Sequence, residues 1–189
     1  MIPTYKIVQL TSEEFNLHYN KHKDSLFDYD HSYLLWEALS EKELESVKRL
    51  RKNLNERVEL YFGAFDNDDN FVGWSWGFQE SSVNFYMANS AVLENHRRRG
   101  IYSSLLRAMI KGAIDEGFQV VTSRHNATNN SVLIPKLKEN FIISKMELDD
   151  IFGVLIHLHY YANTTRRKIM DYRSGQLKPD DQIKKLLKI

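Results

Sequence analysis

Between Val92 and Leu106 the chain reads Val-Leu-Glu-Asn-His-Arg-Arg-Arg-Gly-Ile-Tyr-Ser-Ser-Leu-Leu. An apolar segment ends, Arg97, Arg98 and Arg99 follow, and Gly100 opens a run with helical spacing. The first N–H groups of a helix have no partner within it, and the macrodipole makes that end positive. A strand–loop–helix joint with glycine at its corner is therefore an anion site, suited to a pyrophosphate. Gly100 has no Cβ to hold a ligand off the backbone, and the arginines add positive charge. The same residues also describe a solvated basic loop capped by glycine. On local physics alone the two readings stand level.

Other candidates carry less. Asp66-Asn67-Asp68-Asp69-Asn70 starts like a calcium loop, but Phe71 and Gly77 stand where that loop needs glycine and a bidentate glutamate, so it reads as a hairpin turn. His18 and His22 share a helix face without the adjacent glutamate of a metallohydrolase, and read as surface residues. His157 and His159 lie on one side of a strand and make only half a metal site. His125-Asn126 ends a strand, where a substrate contact is conceivable. Trp74, Trp76 and Phe78 alternate along a strand together with Val72, which reads first as core and second as the wall of a pocket. There is no nucleophile elbow, Walker loop or dinucleotide fingerprint.

These residues need a frame. The chain has 189 residues, 26 basic against 25 acidic, and no cysteine. That length fits one domain, or one with a tail. Ten Phe, ten Tyr and three Trp supply a core and exclude global disorder. Without cysteine there is no disulfide scaffold, thiolate zinc site or cysteine nucleophile. Balanced charge, and arginines without interleaved aromatics, argue against nucleic acid. No apolar run reaches the roughly 20 residues of a membrane helix, and the start lacks an apolar signal core, so the expected location is cytoplasmic.

Tyr5–Leu10 reads as a strand. Thr11-Ser12-Glu13-Glu14 opens a helix to about Leu26. A second helical region runs from Tyr33 to Glu56, with a break near Ser40. Val58–Phe65, Phe71–Glu80 and Asn84–Leu93 read as hairpin-connected strands. Gly100–Glu116 reads as a helix stopped by Gly117, Gln119–Arg124 as a strand and Asn129–Glu139 as a helix. Phe141–Leu148 and Phe152–Tyr161 follow as strands. This order predicts a mixed α/β sheet, antiparallel at first and parallel where a helix crosses over. Asn163–Arg173 reads as a helix, and the last fourteen residues as a semi-ordered appendage.

The Val92–Leu106 segment resembles the acyl-CoA-binding signature of the GNAT N-acetyltransferase superfamily: Arg or Gln, two residues, Gly, one residue, Gly or Ala, with a valine five residues before the arginine. Val92, Arg97 and Gly100 fall in register, while Tyr102 stands where the family has Gly or Ala. The neighbourhood is similar as well. Val72-Gly73 matches the preceding hairpin, Asn129 the start of the next helix, and Asn140-Phe141 the family's Gly-Phe pair. The resemblance covers residues 58–161, with the first strand and helix supplied by Tyr5–Leu26.

It implies a GNAT-type fold, a mixed and mostly antiparallel sheet flanked by helices, over residues 1–161, with a helical appendage over 162–189. It implies N-acetyl transfer from acetyl-CoA to an amine acceptor, by direct attack in a ternary complex and without metal. The contacts to CoA then fall on Ala91, Val92, Arg97, Arg98, Arg99, Gly100, Ile101, Tyr102, Ser103 and Asn129. A backbone N–H near Val92 would face the oxyanion. The family's acid is a tyrosine five residues before the phenylalanine of Gly-Phe, and here that position is Lys136, expected as a surface lysine. Tyr102 remains as candidate acid and Glu80 as candidate base. The alternative is a non-catalytic acyl-CoA sensor of the same fold. The acceptor and the assembly, in which the last strands could meet a second copy as a homodimer, stay open.

Overall fold

A computed structural model describes residues 4–26 and 56–189, together with Glu41 and Glu45. The expected helical region from Tyr33 to Glu56 lies almost wholly outside the described residues. The elements are β1 (Lys6–Leu10), α1 (Ser12–Leu26), β2 (Glu59–Phe65), β3 (Phe71–Gln79), β4 (Asn84–Val92), α2 (Ile101–Asp115), β5 (Val120–Asn126), α3 (Asn130–Lys138), β6 (Ile142–Asp149), β7 (Gly153–Tyr161), α4 (Thr164–Arg173) and α5 (Asp181–Leu187). One seven-stranded sheet has the order β1-β2-β3-β4-β5-β7-β6. Every pair is antiparallel except β4–β5, joined through α2. The mixed α/β architecture is the one expected.

Local chemistry sets the ends of the helices. At α1, Thr11 Oγ1 accepts the Glu14 N–H and Glu14 accepts the Thr11 N–H, a reciprocal capping box. At the end of α2, the Phe118 N–H reaches the Ala113 carbonyl and the Gly117 N–H the Ile114 carbonyl, with Gly117 at φ +95°. This is a Schellman stop, and it fits the expected role of Gly117. The end of α3 repeats it with asparagine. Phe141 N–H bonds the Lys136 carbonyl and Asn140 N–H the Leu137 carbonyl, and Asn140 takes φ +66°. Asparagine tolerates the left-handed region better than other side chains, which is how it stands in for the family's glycine.

Two cores flank the sheet. Leu60, Phe85, Leu105, Leu106, Met109, Val121 and Leu158 pack between one face and helices α2 and α3. Phe15, Leu26, Phe71 and Trp74 form the other, under α1. Val72 belongs to the first core and Trp74 to the second, so the expectation that they share a face is corrected. The register of β3 against β2 shifts between Ala64 and Phe65. Such a bulge puts an extra residue in one strand and breaks the alternation. His18 is not a plain surface residue either. Its ring stacks on Phe71 at 4.5 Å.

The last residues also differ from expectation. Asp180 caps α5 by accepting the Ile183 N–H at 2.9 Å, and its other oxygen takes Lys168 on α4 at 2.9 Å. Ile183 is buried. The segment read as semi-ordered carries a capped helix anchored to its neighbour. No helix among the described residues is long and apolar enough to cross a membrane.

Candidate functional site

The central strands part company. β4 and β5 pair only over Asn84–Tyr86 and Val120–Thr122, though β4 continues to Val92 and β5 to Asn126. Beyond Tyr86 they form a fork. Its cause lies on the other edge of β4, where Trp76 faces Asn89 but Gly77 faces Met87. Ala88 is the extra residue, and a bulge bends the strand that carries it. β5 is pulled the other way by continuous pairing with β7 from Val120 to Asn126.

The fork is lined by backbone. Leu93 N–H donates to the Val72 carbonyl at 2.9 Å. In an antiparallel ladder alternate residues turn to opposite edges, so Ala91 also turns to β3, while Ser90 and Val92 turn their N–H groups to the fork. The Ser75 and Ser90 hydroxyls meet at 2.9 Å, a close approach typical of a non-hydrogen-bonded pair.

At the wide end the chain turns through Glu94–His96 into α2. Arg98 has φ +60° and Gly100 φ +79°. Gly100 is the N-cap, with no side-chain cap on the helix, so the first amides of α2, from Ile101 to Ser103, lack an intrahelical partner. This is a concave set of donors. The arginines are not equivalent. Arg97 Nε donates back to the Val92 carbonyl at 3.1 Å, and Arg99 donates to the Tyr5 hydroxyl at 3.0 Å. Tyr102 packs against the main core. Its hydroxyl is buried without a partner among the described residues, and burial pushes its pKa up. Asn129 stands at the N-cap position of α3 without a side-chain cap bond, and its side-chain Oδ1 accepts the Ser131 hydroxyl at 2.7 Å.

Lys136 is where the sequence expectation fails. Expected at the surface, it is 1% exposed. Its Nζ lies 3.6 Å from Met87 Sδ on β4 and 5.1 Å from the centre of the Phe141 ring. It is close enough to His125 on β5 to depress that imidazole beyond the effect of burial. Lys136 thus sits against both arms of the fork. Burial lowers its pKa to about 7. His125 Nε2 is buried with no partner among the described residues.

On the opposite face of the sheet, over the closed end of the fork, is a polar cavity of about 260 Å³. Asn84, Tyr86, Thr122 and Arg124 form its floor, Lys145, Glu147, His157 and His159 its walls, and Glu80 its rim. Glu80 accepts Thr122 Oγ1 at 3.1 Å, which puts its carboxylate beside the last paired residues of β4 and β5. Arg124 lies over the Tyr86 ring at 4.9 Å. His157 bonds Glu147, so the two strand histidines belong to a polar wall. No group of three or more metal-ligating side chains occurs among the described residues. Its residues come from five separate segments, so no local pattern announces the cavity. Of these residues the sequence marks Glu80 and, on a separate strand, His157 and His159.

The residues that form the forked pair and the glycine-opened helix fall within the span that a family model matches. The acetyltransferase (GNAT) family model covers residues 9–133. The chain belongs to the GNAT acetyltransferase family. Solved structures of similar fold include the ribosomal-protein-S18-alanine N-acetyltransferase of Escherichia coli, at 18% identity and TM-score 0.58, over 84% of this chain and 94% of that one. An IAA acetyltransferase of Bacillus cereus shares 18% identity at TM-score 0.59, over 84% and 99%. A GNAT family acetyltransferase of Elizabethkingia anophelis, with acetyl-CoA bound, shares 14% at TM-score 0.55, over 83% and 97%. No curated protein matches the chain. At these identities the structures speak to the GNAT fold alone.

Proposed function

We propose that this GNAT protein transfers an acetyl group from acetyl-CoA to an amine. The fork between β4 and β5 carries this reading, because it leaves a strand-shaped gap whose edge amides, on Ser90 and Val92, face inward. A pantetheine arm carries amide groups that can pair there as a short extra strand. The free amides from Ile101 to Ser103 and the left-handed Gly100 suit the pyrophosphate. Arg98 supplies charge, and Arg97 and Arg99 hold the loop through Val92 and Tyr5. Asn129 lies beyond the end of β5, at the wide side of the fork.

The chemistry then divides between the two faces. The amine nitrogen bonds the acetyl carbon, the carbon–sulfur bond breaks, the amine loses a proton and the thiolate gains one. Glu80, on the acceptor side, takes the amine proton directly or through water. The inward N–H groups of Ser90 and Val92 are the donors for the oxyanion. Lys136 gives its proton to the departing sulfur. An acid of pKa about 7 matches a thiol whose ordinary value is near 8.5. Tyr102, with its proton held more tightly by burial, is the poorer acid.

Calorimetric titration with acetyl-CoA, against adenosine bisphosphates, tests the cofactor site. Micromolar binding that depends on the pantetheine arm supports it, and no binding at millimolar acetyl-CoA overturns it. Binding without thiol release across a broad amine panel would favour the sensor reading over the enzyme.

A further inference from the structure

The acetyl-transfer reading leaves the acceptor unnamed, and the cavity over the closed end of the fork bears on it. Its charges can be sorted. Glu147 is engaged twice, by His157 and by Lys145 at 3.4 Å. Those two walls satisfy each other. Glu80 has one hydrogen bond within the site, from Thr122 at 3.1 Å. Arg124 has no carboxylate within ion-pair distance among the described residues, and its guanidinium rests on the Tyr86 ring at 4.9 Å. Its side chain also bonds Tyr86, and Glu147 and Glu80 attract it from further off. A guanidinium has five N–H donors, so one such bond leaves others that fit a carboxylate with two parallel bonds. One anion and one cation are therefore left facing the cavity.

Their spacing is short. Thr122, which anchors Glu80, and Arg124 are two residues apart on one strand face, their Cα atoms roughly 7 Å apart, and the two charges are close enough to attract each other. That separation suits an amine and a carboxylate on one short carbon frame, with a hydrogen bond at each end. A peptide N-terminus or a lysine side chain would bring no carboxylate to Arg124. A polyamine would set its second cation against Arg124 and Lys145.

We propose that the acceptor is a small zwitterion, an amine bearing a carboxylate, with its amine at Glu80 and its carboxylate on Arg124. This rests on the acetyl-transfer reading and names the substrate class of that same site.

The experiment uses the full chain with acetyl-CoA and measures thiol release. The acceptors are α-amino acids and their β- and γ-homologues, each set beside its decarboxylated amine, its carboxamide and a dipeptide that begins with it and ends in an amide. The expected result is a kcat/KM for at least one amino acid some ten- to a hundredfold above its decarboxylated amine and carboxamide, the size of one charge-assisted contact. Arg124→Gln should bring that ratio to within about twofold, chiefly through KM, and Arg124→Lys should restore part of it. Equal or better turnover of the amine, the carboxamide or the dipeptide overturns the zwitterion and leaves acetyl transfer standing. So does a ratio unmoved by Arg124→Gln. Failure of acetyl-CoA to bind overturns both.

Discussion

An ammonium group that is 1% exposed, touched by a thioether and a ring, and without a carboxylate partner among the described residues is held at a cost. The consequence is a pKa of about 7 in the folded chain against an ordinary 10.5. Between those two values the unfolded chain holds a proton that the folded chain does not, so stability rises with pH there. Below pH 7 both states are protonated and the full burial penalty applies. Lys136→Met keeps the volume and removes the charge. Urea unfolding should find the variant more stable than the wild type at pH 6. The wild type should catch up between pH 7 and 10.5, with a slope approaching ~1.4 kcal/mol per pH unit. Parallel stability curves for the two proteins would mean that Lys136 is solvated in solution.

The same substitution tests catalysis. Loss of a general acid costs about a hundredfold or more, and the variant is expected to fold at least as well, so misfolding is not a ready excuse. In the wild type the ratio of its kcat/KM to that of Lys136→Met should fall as pH rises through 7, when the lysine gives up its proton. A ratio that stays flat across that range would leave Lys136 a packing residue only. Nothing in the sequence marked this. Lysine at the position of the family's tyrosine was legible, but its burial depends on the Asn140 Schellman turn and on Met87 lying opposite, both long-range facts.

Among the elements, the loop into α2 was legible and the fork was not. Glycine after a basic run, followed by helical periodicity, is a local pattern. The parting of β4 from β5 comes from one extra residue, Ala88, which leaves no trace in composition. Gly100→Val isolates the local part. A Cβ at Gly100 would meet nothing within 4 Å, yet φ is +79°, a conformation that a β-branched residue reaches only with strain. The strain is relieved by turning the peptide, which re-aims the first amides of α2. Acetyl-CoA affinity should fall at least tenfold, while far-UV circular dichroism stays unchanged. Arg97→Ala, which removes the bond to the Val92 carbonyl and one positive charge but leaves the backbone amides in place, should cost less. If calorimetry ranks the two the other way, side chains rather than backbone hold the pyrophosphate.

At the scale of the molecule, the question is whether the acetyltransferase unit ends at Tyr161, as we propose, with residues 162–189 an addition to it. The family model stops at residue 133 and does not decide. The addition is tied down at one informative place. Arg167 binds Asp171 through Nε at 2.8 Å and donates to the Asn140 carbonyl at 2.7 Å, and Asn140 closes the turn that positions Lys136. Beyond that, α4 rests on β7, where Arg166 lies over the Tyr161 ring, while Ile183 of α5 is buried and Asp180 links α5 to α4. A chain ending at Ala162 should therefore still bind acetyl-CoA, because no residue of the fork or the phosphate loop is removed. It should melt several degrees lower, since a loss of 1–2 kcal/mol moves the midpoint of a domain this size by roughly that much. Its turnover should fall more than its affinity, as the Asn140 turn loosens around Lys136. Loss of acetyl-CoA binding together with the melting transition would instead show that α4 and α5 are part of the folding unit, and that the boundary drawn after Tyr161 is not a physical one.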